Sequence, residues 1–119
     1  MPQMTLEFSS NVFEKNDLAS LFKKCHTSLA ETLPTDIKSC KSRATEQNNF
    51  LVGNGNEKNA FIHAALHVMP GRTTHALEKT AAAILDILKM HFAKSLQELE
   101  LQITVAVYEL PNIYLKITS

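Results

Sequence analysis

The chain carries no excess of either charge. Its 119 residues include 12 lysines and arginines and 12 aspartates and glutamates, so the formal net charge is zero with histidine neutral. These charges are scattered along the sequence, and no basic cluster supplies the positive field that binding to a phosphate backbone requires. We therefore expect no nucleic-acid partner.

Long apolar runs are also missing. No segment approaches the roughly 18 consecutive apolar residues of a membrane span, and the first residues lack the basic-then-apolar pattern of an export signal. The sequence therefore predicts no membrane partner and a cytoplasmic location. A chain of 119 residues has the length of one domain, covering residues 1–119, and leaves much surface that an oligomer could cover.

Residues that bind metals or cofactors do not occur at suitable spacings. Cys25 and Cys40 have neither zinc-ligand spacing nor the density of a disulfide-rich protein, so we interpret both as reduced, packed thiols. His63 and His67 lie on a predicted strand, where four residues span roughly 13 Å, too far for one metal ion. No glycine-rich phosphate loop follows a strand, and no nucleophile-elbow motif is present. We expect no metal, no nucleotide cofactor and no acyl-enzyme chemistry.

Two segments place apolar residues three or four positions apart, as one face of an amphipathic helix does. The first covers residues 18–33 and is followed by Pro34, which cannot continue a helix. The second keeps a single apolar stripe over residues 77–99 and predicts one long helix. Candidate N-terminal caps precede the two segments: Asn16, Asp17, Thr73 and Thr74.

Alternation of apolar and polar residues predicts half-buried strands at 3–8, 60–68 and 101–108. The segment 36–52 is mostly polar, and we interpret it as a further strand, because Asn54-Gly55 then supplies a hairpin turn into the next strand. A short tail with alternating apolar residues ends the chain: Ile113, Leu115 and Ile117.

The order of these elements describes two β-α-β halves in tandem. A helix that connects two strands of one sheet makes those strands parallel and the crossover right-handed. The sequence therefore predicts a two-layer α+β fold, in which two helices cover one face of a four-stranded mixed sheet. The other face carries Phe61, Ala65 and Met69. Because these residues are too apolar for water, we expect burial against other subunits in a ring.

Pro2 offers a nitrogen that no other residue can supply. Removal of Met1 would convert it to a free secondary amine. An ordinary α-amino group has a pKa of about 7.7 to 8.0, and burial or a neighbouring cation lowers that value, so Pro2 could be a neutral base at physiological pH. The only two arginines, Arg43 and Arg72, have the planar fork that suits carboxylates. Alternatively, Met-Pro is a chance opening and both arginines are solvated surface residues.

The order of several short motifs resembles a known family over nearly the whole chain. They are the Met1-Pro2 opening with Glu7, Ser9-x-Asn11, Asp17-Leu18, Leu21-Phe22-x-Lys24, Ser42-Arg43, Ala60-Phe61-Ile62-His63, Gly71-Arg72 and Lys89-x-His91-Phe92. The chain resembles the 5-carboxymethyl-2-hydroxymuconate isomerase family of the tautomerase superfamily. The resemblance implies a tautomerase-like homotrimer in which the amino-terminal proline, here Pro2, carries the proton. Lys41 stands where the family pattern has arginine.

The hypothesis from the residues and the resemblance together is a cofactor-independent isomerase, acting on a small unsaturated 2-hydroxy or 2-keto dicarboxylate in aromatic-compound breakdown. Pro2 would move the proton, and Arg43 and Arg72 would bind the carboxylates and polarise the 2-oxygen, across a subunit boundary if necessary. Lys41 and His63 would line the pocket. Two alternatives remain: a relative with another enol or keto acid substrate, and an inactive trimer that only binds a ligand.

Overall fold

The computed structural model describes all 119 residues. Its elements, in chain order, are β1 (Gln3–Ser9), α1 (Leu18–Thr32), a short 3₁₀ turn (Ile37–Ser39), β2 (Lys41–Gln47), β3 (Asn59–Val68), α2 (Thr74–His91), α3 (Ala93–Glu98) and β4 (Glu100–Glu109). The four strands form one sheet in the order β2-β1-β3-β4. β1 and β2 are parallel, β3 and β4 are parallel, and β1 and β3 are antiparallel. The predicted tandem β-α-β architecture with a mixed sheet is confirmed.

Strict alternation along β1 and β3 decides which face of the sheet forms the core. Met4, Leu6 and Ile62 are completely buried, while their sequence neighbours on the opposite face remain partly accessible. Both helices direct apolar residues at the same face, and Leu21 of α1 and Leu88 of α2 belong to the same apolar cluster as the strand residues. One sheet face is thus covered by helices, as the periodicity predicts.

The bounds of α1 follow from its sequence signals. The carboxylate of Asp17 accepts a hydrogen bond from the backbone N–H of Ser20, which satisfies one of the unpaired donors of the first turn. At the other end, the N–H of Leu33 donates to the carbonyl of Leu29, and Pro34 follows. The interpretation of Asp17 as a cap and of Pro34 as the stop is confirmed.

The prediction of one long second helix is wrong. α2 ends at His91, Phe92 leaves helical geometry with φ −98° and ψ 29°, and α3 starts at the next residue. The new start is stabilised from outside the helix, because the carboxylate of Glu14 accepts hydrogen bonds from the backbone N–H groups of Lys94 and Ser95 and from the hydroxyl of Ser95. The apolar stripe continues across the break, so the periodicity alone does not reveal it.

The predicted strand at 36–52 is correct only in its central part, and the predicted hairpin is wrong. β2 pairs with β1 rather than with β3, because β1 lies between them in the sheet. The Asn54-Gly55 turn instead closes a loop: the N–H of Gly55 donates to the carbonyl of Val52 over 3.0 Å. Gly55 has a φ of 80°, which glycine adopts without strain.

The sheet face opposite the helices is not covered by any other part of the chain. It carries the partly accessible Phe61 and Ala65 and a set of paired polar groups. The ring of His67 stacks on that of Tyr108 with their centroids 5.0 Å apart, and the amide of Gln47 donates to the carboxylate of Glu7. We name this surface the open face. None of the helices combines the length and the apolarity needed to cross a lipid bilayer.

Candidate active site

The strand directions gather four segments at one edge of the sheet. Gln3 at the start of β1 pairs with Lys41 at the start of β2 and with His67 at the end of β3, and His67 pairs with Tyr108 at the end of β4. The segment that leads to α2 and the C-terminal tail, residues 110–119, therefore leave the sheet beside the amino terminus. We call this the amino-terminal edge.

Pro2 is buried at this edge. It continues the alternation of Met4 and Leu6, which places it on the side of the sheet that the helices cover. Its carbonyl oxygen accepts a hydrogen bond of 3.1 Å from the backbone N–H of Lys41. Because this bond joins the starts of β1 and β2, the proline is held by the sheet itself and does not depend on its own side chain for its position.

Arg72 lies in the turn between β3 and α2. Gly71 precedes it with a φ of 108°, a conformation that favours glycine. The guanidinium donates to the carbonyl of Met69 over 2.9 Å and to the carbonyl of Leu33 over 3.3 Å. Arg72 thus connects the end of β3 to the end of α1, and its charge acts on the amino terminus.

The amino terminus lies in an electropositive environment. Partial burial is the largest cause that lowers the pKa of the Met1 amino group below its ordinary value, followed by the charge of Arg72. The charges of Lys116 and Lys41 act in the same direction, and only Cys40 opposes them. Desolvation and nearby cations both disfavour a protonated amine, so an amine placed at this edge is shifted towards its neutral form.

A cavity of about 330 Å³ lies between the segment before β2 and the C-terminal tail, and two residues of its wall, Lys41 and Lys116, act on the charge of the amino terminus. Its wall is formed by Lys38, Ser39, Lys41, Lys116, Ile117, Thr118 and Ser119. None of the three lysines forms an ion pair, since the one ion pair of the chain joins Lys15 and Glu46. No ion pair therefore neutralises these three cations, and a cluster of unpaired cations attracts a small anion.

Arg43 lies on the opposite side of the sheet from Pro2. It shares the open face with Gln3, whose side-chain oxygen accepts a hydrogen bond of 2.9 Å from the guanidinium. The amide nitrogen of Gln3 in turn donates to the hydroxyl of Tyr114 over 3.2 Å. This chain of hydrogen bonds orients Arg43, but the structure does not bring it to Pro2.

His63 also lies on the open face, in the middle of β3. It pairs with Glu7, and its Nδ1 is 2.7 Å from the hydroxyl of Thr104. The pair that marks the amino-terminal edge is His67 with Gln3, four residues further along the strand and thus roughly 13 Å away. The structure therefore brings Arg72 and Lys41 to the amino terminus, and leaves His63 and Arg43 apart from it.

Both cysteines are free and buried. Burial raises the pKa of the Cys25 thiol to about 12, so it stays protonated in the core. Burial likewise raises the pKa of Cys40, which is close enough to the amino terminus for the two charges to interact. These features agree with packed thiols. No three histidine, cysteine, aspartate or glutamate side chains converge as metal ligands would.

The sequence analysis did not identify two tail residues that lie at this edge, Tyr114 and Lys116. Tyr114 contacts Gln3, and the ammonium of Lys116 lies 3.1 Å from the sulfur of Met1. No motif marks either residue. Only the strand order indicates their position. Because β1 and β4 are antiparallel within one sheet, the tail that follows β4 must leave the sheet near the start of β1.

Solved structures define the class of protein to which this fold belongs. A 5-carboxymethyl-2-hydroxymuconate isomerase from Deinococcus radiodurans R1 has a TM-score of 0.88 at 22% identity, covering 98% of this chain and 90% of that one. A second solved 5-carboxymethyl-2-hydroxymuconate delta-isomerase has a TM-score of 0.87 at 13% identity, covering 100% and 89%. A fused 4-OT, solved as a symmetric trimer, has a TM-score of 0.75 at 10% identity, covering 97% and 90%. The fold is the tautomerase fold.

Sequence comparison identifies the family. A model of the 5-carboxymethyl-2-hydroxymuconate isomerase family matches residues 2–117. The 5-carboxymethyl-2-hydroxymuconate Delta-isomerase of Escherichia coli is 26% identical over 110 residues, which cover 92% of this chain and 87% of that protein. The chain therefore belongs to the 5-carboxymethyl-2-hydroxymuconate isomerase family, and its class of enzyme is isomerase.

Proposed function

We propose that this protein is a cofactor-independent isomerase that uses Pro2, freed by removal of Met1, to move a proton within a small unsaturated 2-hydroxy or 2-keto dicarboxylate. The family suggests 5-carboxymethyl-2-hydroxymuconate as the substrate, a muconate whose carboxymethyl group adds a third carboxylate. The resemblance implies the breakdown of aromatic compounds as the setting. The observation that supports the proposal most is the electropositive surrounding of the amino terminus, where Arg72, Lys41 and Lys116 all act on the terminal amine.

The chemistry needs one base and a stabilised enolate. The neutral secondary amine of Pro2 takes a proton from a carbon activated by the 2-keto group, and the electron pair of that C–H bond moves onto the 2-oxygen. The resulting prolinium returns the proton to another carbon of the conjugated system, so the enzyme ends in its starting state. Cations beside the developing negative charge lower the barrier.

Arg72 and Lys41 are proposed to bind a carboxylate or the 2-oxygen next to Pro2. Arg72 is held in place through Met69 and Leu33, so it is preorganised for this role. Lys41 stands where the family pattern has arginine, and a compact ammonium cannot form the bidentate contact of a guanidinium. This substitution favours, as a second candidate function, the same proton transfer on another enol or keto acid.

Arg43 and His63 can take part only across a subunit boundary, because they lie on the open face. We propose that the open face is buried between the subunits of a homotrimer, and that Arg43 of one subunit, oriented by Gln3, reaches the site of the next. The apolar Phe61 and Ala65 on this face support an interface. A protein of the same fold has been solved as a symmetric trimer.

The decisive experiment compares two forms of the protein that differ only at the amino terminus. One is Met-free protein verified by intact mass, and the other carries a short N-terminal extension, so that the Pro2 nitrogen is an amide. Both are tested spectrophotometrically on a panel of enol acids. We expect turnover of a 2-hydroxy dicarboxylate by the Met-free form and loss of at least a hundredfold in the extended form.

Equal turnover by both forms contradicts a role for the Pro2 nitrogen. Turnover of monocarboxylic enols alone supports the second candidate function. Binding of an enol acid to Met-free protein with no turnover indicates an inactive ligand-binding relative.

A further inference from the structure

We propose that Lys116, on the C-terminal tail, is a carboxylate-binding residue of the site at Pro2, and that Met1 holds its ammonium until Met1 is removed. This inference rests on the proposed function of Pro2 and adds a residue to it. The observation that carries it is the distance of 3.1 Å between the Nζ of Lys116 and the sulfur of Met1.

The tail leaves the core after Leu110, which is buried and donates its backbone N–H to the carbonyl of Val68 over 2.7 Å. Residues 110–119 form neither helix nor strand, and the apolar side chains of Ile113, Leu115 and Ile117 are 84%, 92% and 98% exposed. The two residues between them make the tail's side-chain contacts with the amino-terminal segment: the hydroxyl of the half-buried Tyr114 accepts a hydrogen bond from Gln3, and the ammonium of the exposed Lys116 contacts the sulfur of Met1. Alternation along the extended tail therefore presents Lys116 to the amino terminus.

The partner that Lys116 has in this structure is a weak one. A thioether sulfur is a poor acceptor, whereas an ammonium is a strongly hydrated charge that prefers a carboxylate. Lys116 also lines the cavity of about 330 Å³ together with Lys38 and Lys41, and none of the three forms an ion pair. The volume lies at the lower end of the range of about 300 to 1,000 Å³ typical of small-ligand sites.

Loss of Met1 changes two things at once. It exposes the Pro2 nitrogen, and it removes the sulfur that contacts Lys116, so that a cation without a partner then lies beside the base. The charge of Lys116 lowers the pKa of the terminal amine while Met1 is present. Coulomb interactions depend on charge and distance and not on residue type. The charge of Lys116 should therefore also lower the pKa of the free Pro2 amine.

The test uses Met-free Lys116→Gln, with Lys116→Arg as the conservative variant and Lys79→Gln, on the exposed face of α2, as the matched loss of one charge elsewhere. For a dicarboxylate substrate we expect Lys116→Gln to raise KM about tenfold, which corresponds to about 1.4 kcal/mol, and to change kcat less than threefold. The lower pKa in the pH profile of kcat/KM should rise. Lys116→Arg and Lys79→Gln should stay close to the unsubstituted protein.

The same variants exclude a purely structural role, because Lys116 is exposed and Lys116→Gln should keep the melting temperature of the unsubstituted protein. If KM and the pH profile of Lys116→Gln equal those of the unsubstituted protein while turnover still requires the free Pro2 nitrogen, this inference is overturned and the proposed function stands. If Met-free protein has no turnover, calorimetry with a saturated six-carbon dicarboxylate decides: binding weakened about tenfold in Lys116→Gln supports the inference, and unchanged or undetectable binding overturns it.

Discussion

The guanidinium of Arg72 lies 3.3 Å from the carbonyl oxygen of Leu33 and donates a hydrogen bond to it, while its charge acts on the amino terminus. One side chain therefore serves both the packing of α1 against the end of β3 and the electrostatics of the site. These two contributions can be separated, since lysine retains the charge but cannot reproduce the two directed bonds to Leu33 and Met69.

Arg72→Gln should therefore impair both properties. We expect a loss of about 1 to 3 kcal/mol in the free energy of unfolding, from two hydrogen bonds. We also expect kcat/KM to fall roughly ten- to a hundredfold, and the lower pKa of its pH profile to rise. Arg72→Lys should lose a similar free energy of unfolding but keep the pH profile of the unsubstituted protein. A Lys variant whose pH profile matches that of Arg72→Gln contradicts the electrostatic role.

Glu14 should make stability depend on pH. Partial burial alone raises the pKa of Glu14, but hydrogen bonds from Ser95 and from the backbone of Lys94 outweigh it, so the folded-state pKa lies below the ordinary value. Such a group contributes stability above its unfolded pKa of about 4.3, and this contribution is lost as the pH falls through the folded-state value.

The matched pair for this prediction is Glu14→Gln and the exposed Glu78→Gln. Urea unfolding at one protein concentration should show Glu14→Gln less stable by about 1 kcal/mol at pH 7, the usual effect of removing a helix cap. The difference from the unsubstituted protein should shrink below pH 4. If the difference in the free energy of unfolding between Glu14→Gln and the unsubstituted protein is the same at pH 7 and pH 3, the proposed contribution of the Glu14 carboxylate is contradicted.

Phe92 should be the most sensitive position at the junction of α2 and α3. Its side chain is completely buried, although it belongs to neither helix. Phe92→Ala should lower the free energy of unfolding by about 3 to 5 kcal/mol, because the cavity cannot close without moving both helices. Met90, which is 80% exposed, provides the control. Met90→Ala should change the free energy of unfolding by less than about 0.5 kcal/mol. Similar thermal melting of the two variants would refute this account.

Ala65→Arg tests the proposed trimer. Ala65 lies at the centre of the open face, between Thr5 of β1 and Ala106 of β4. A buried charge without a partner at this position should prevent assembly, with a shift from trimer to monomer in analytical ultracentrifugation and loss of turnover. Met90→Arg, on the helical side, should remain trimeric. An Ala65→Arg variant that assembles like the unsubstituted protein shows that this face is not the interface.

The strands and the first helix were predictable because their signals are local. In β1 and β3, the period of two directly reports which residues face the core, and Asp17 and Pro34 mark α1 by chemistry within one turn of its ends. The break at Phe92 was not predictable in this way. It depends on Glu14, about 80 residues earlier in the chain, whose carboxylate replaces the hydrogen bonds that a continuous helix would have made.

The sequence by itself determined the amphipathic elements, their order and the candidate base Pro2, because each depends on residues close together along the chain. Only the tertiary structure decided which cations accompany that base. The antiparallel pairing of β1 with β3 brings Arg72 and the tail to the amino terminus, and the parallel pairing with β2 adds Lys41 at the start of that strand, whereas Arg43 lies two residues further along β2, opposite Thr5 and away from the edge. Electrostatic interactions depend on the distance between charges, and the order of the strands sets the distances between these cations and the amino terminus.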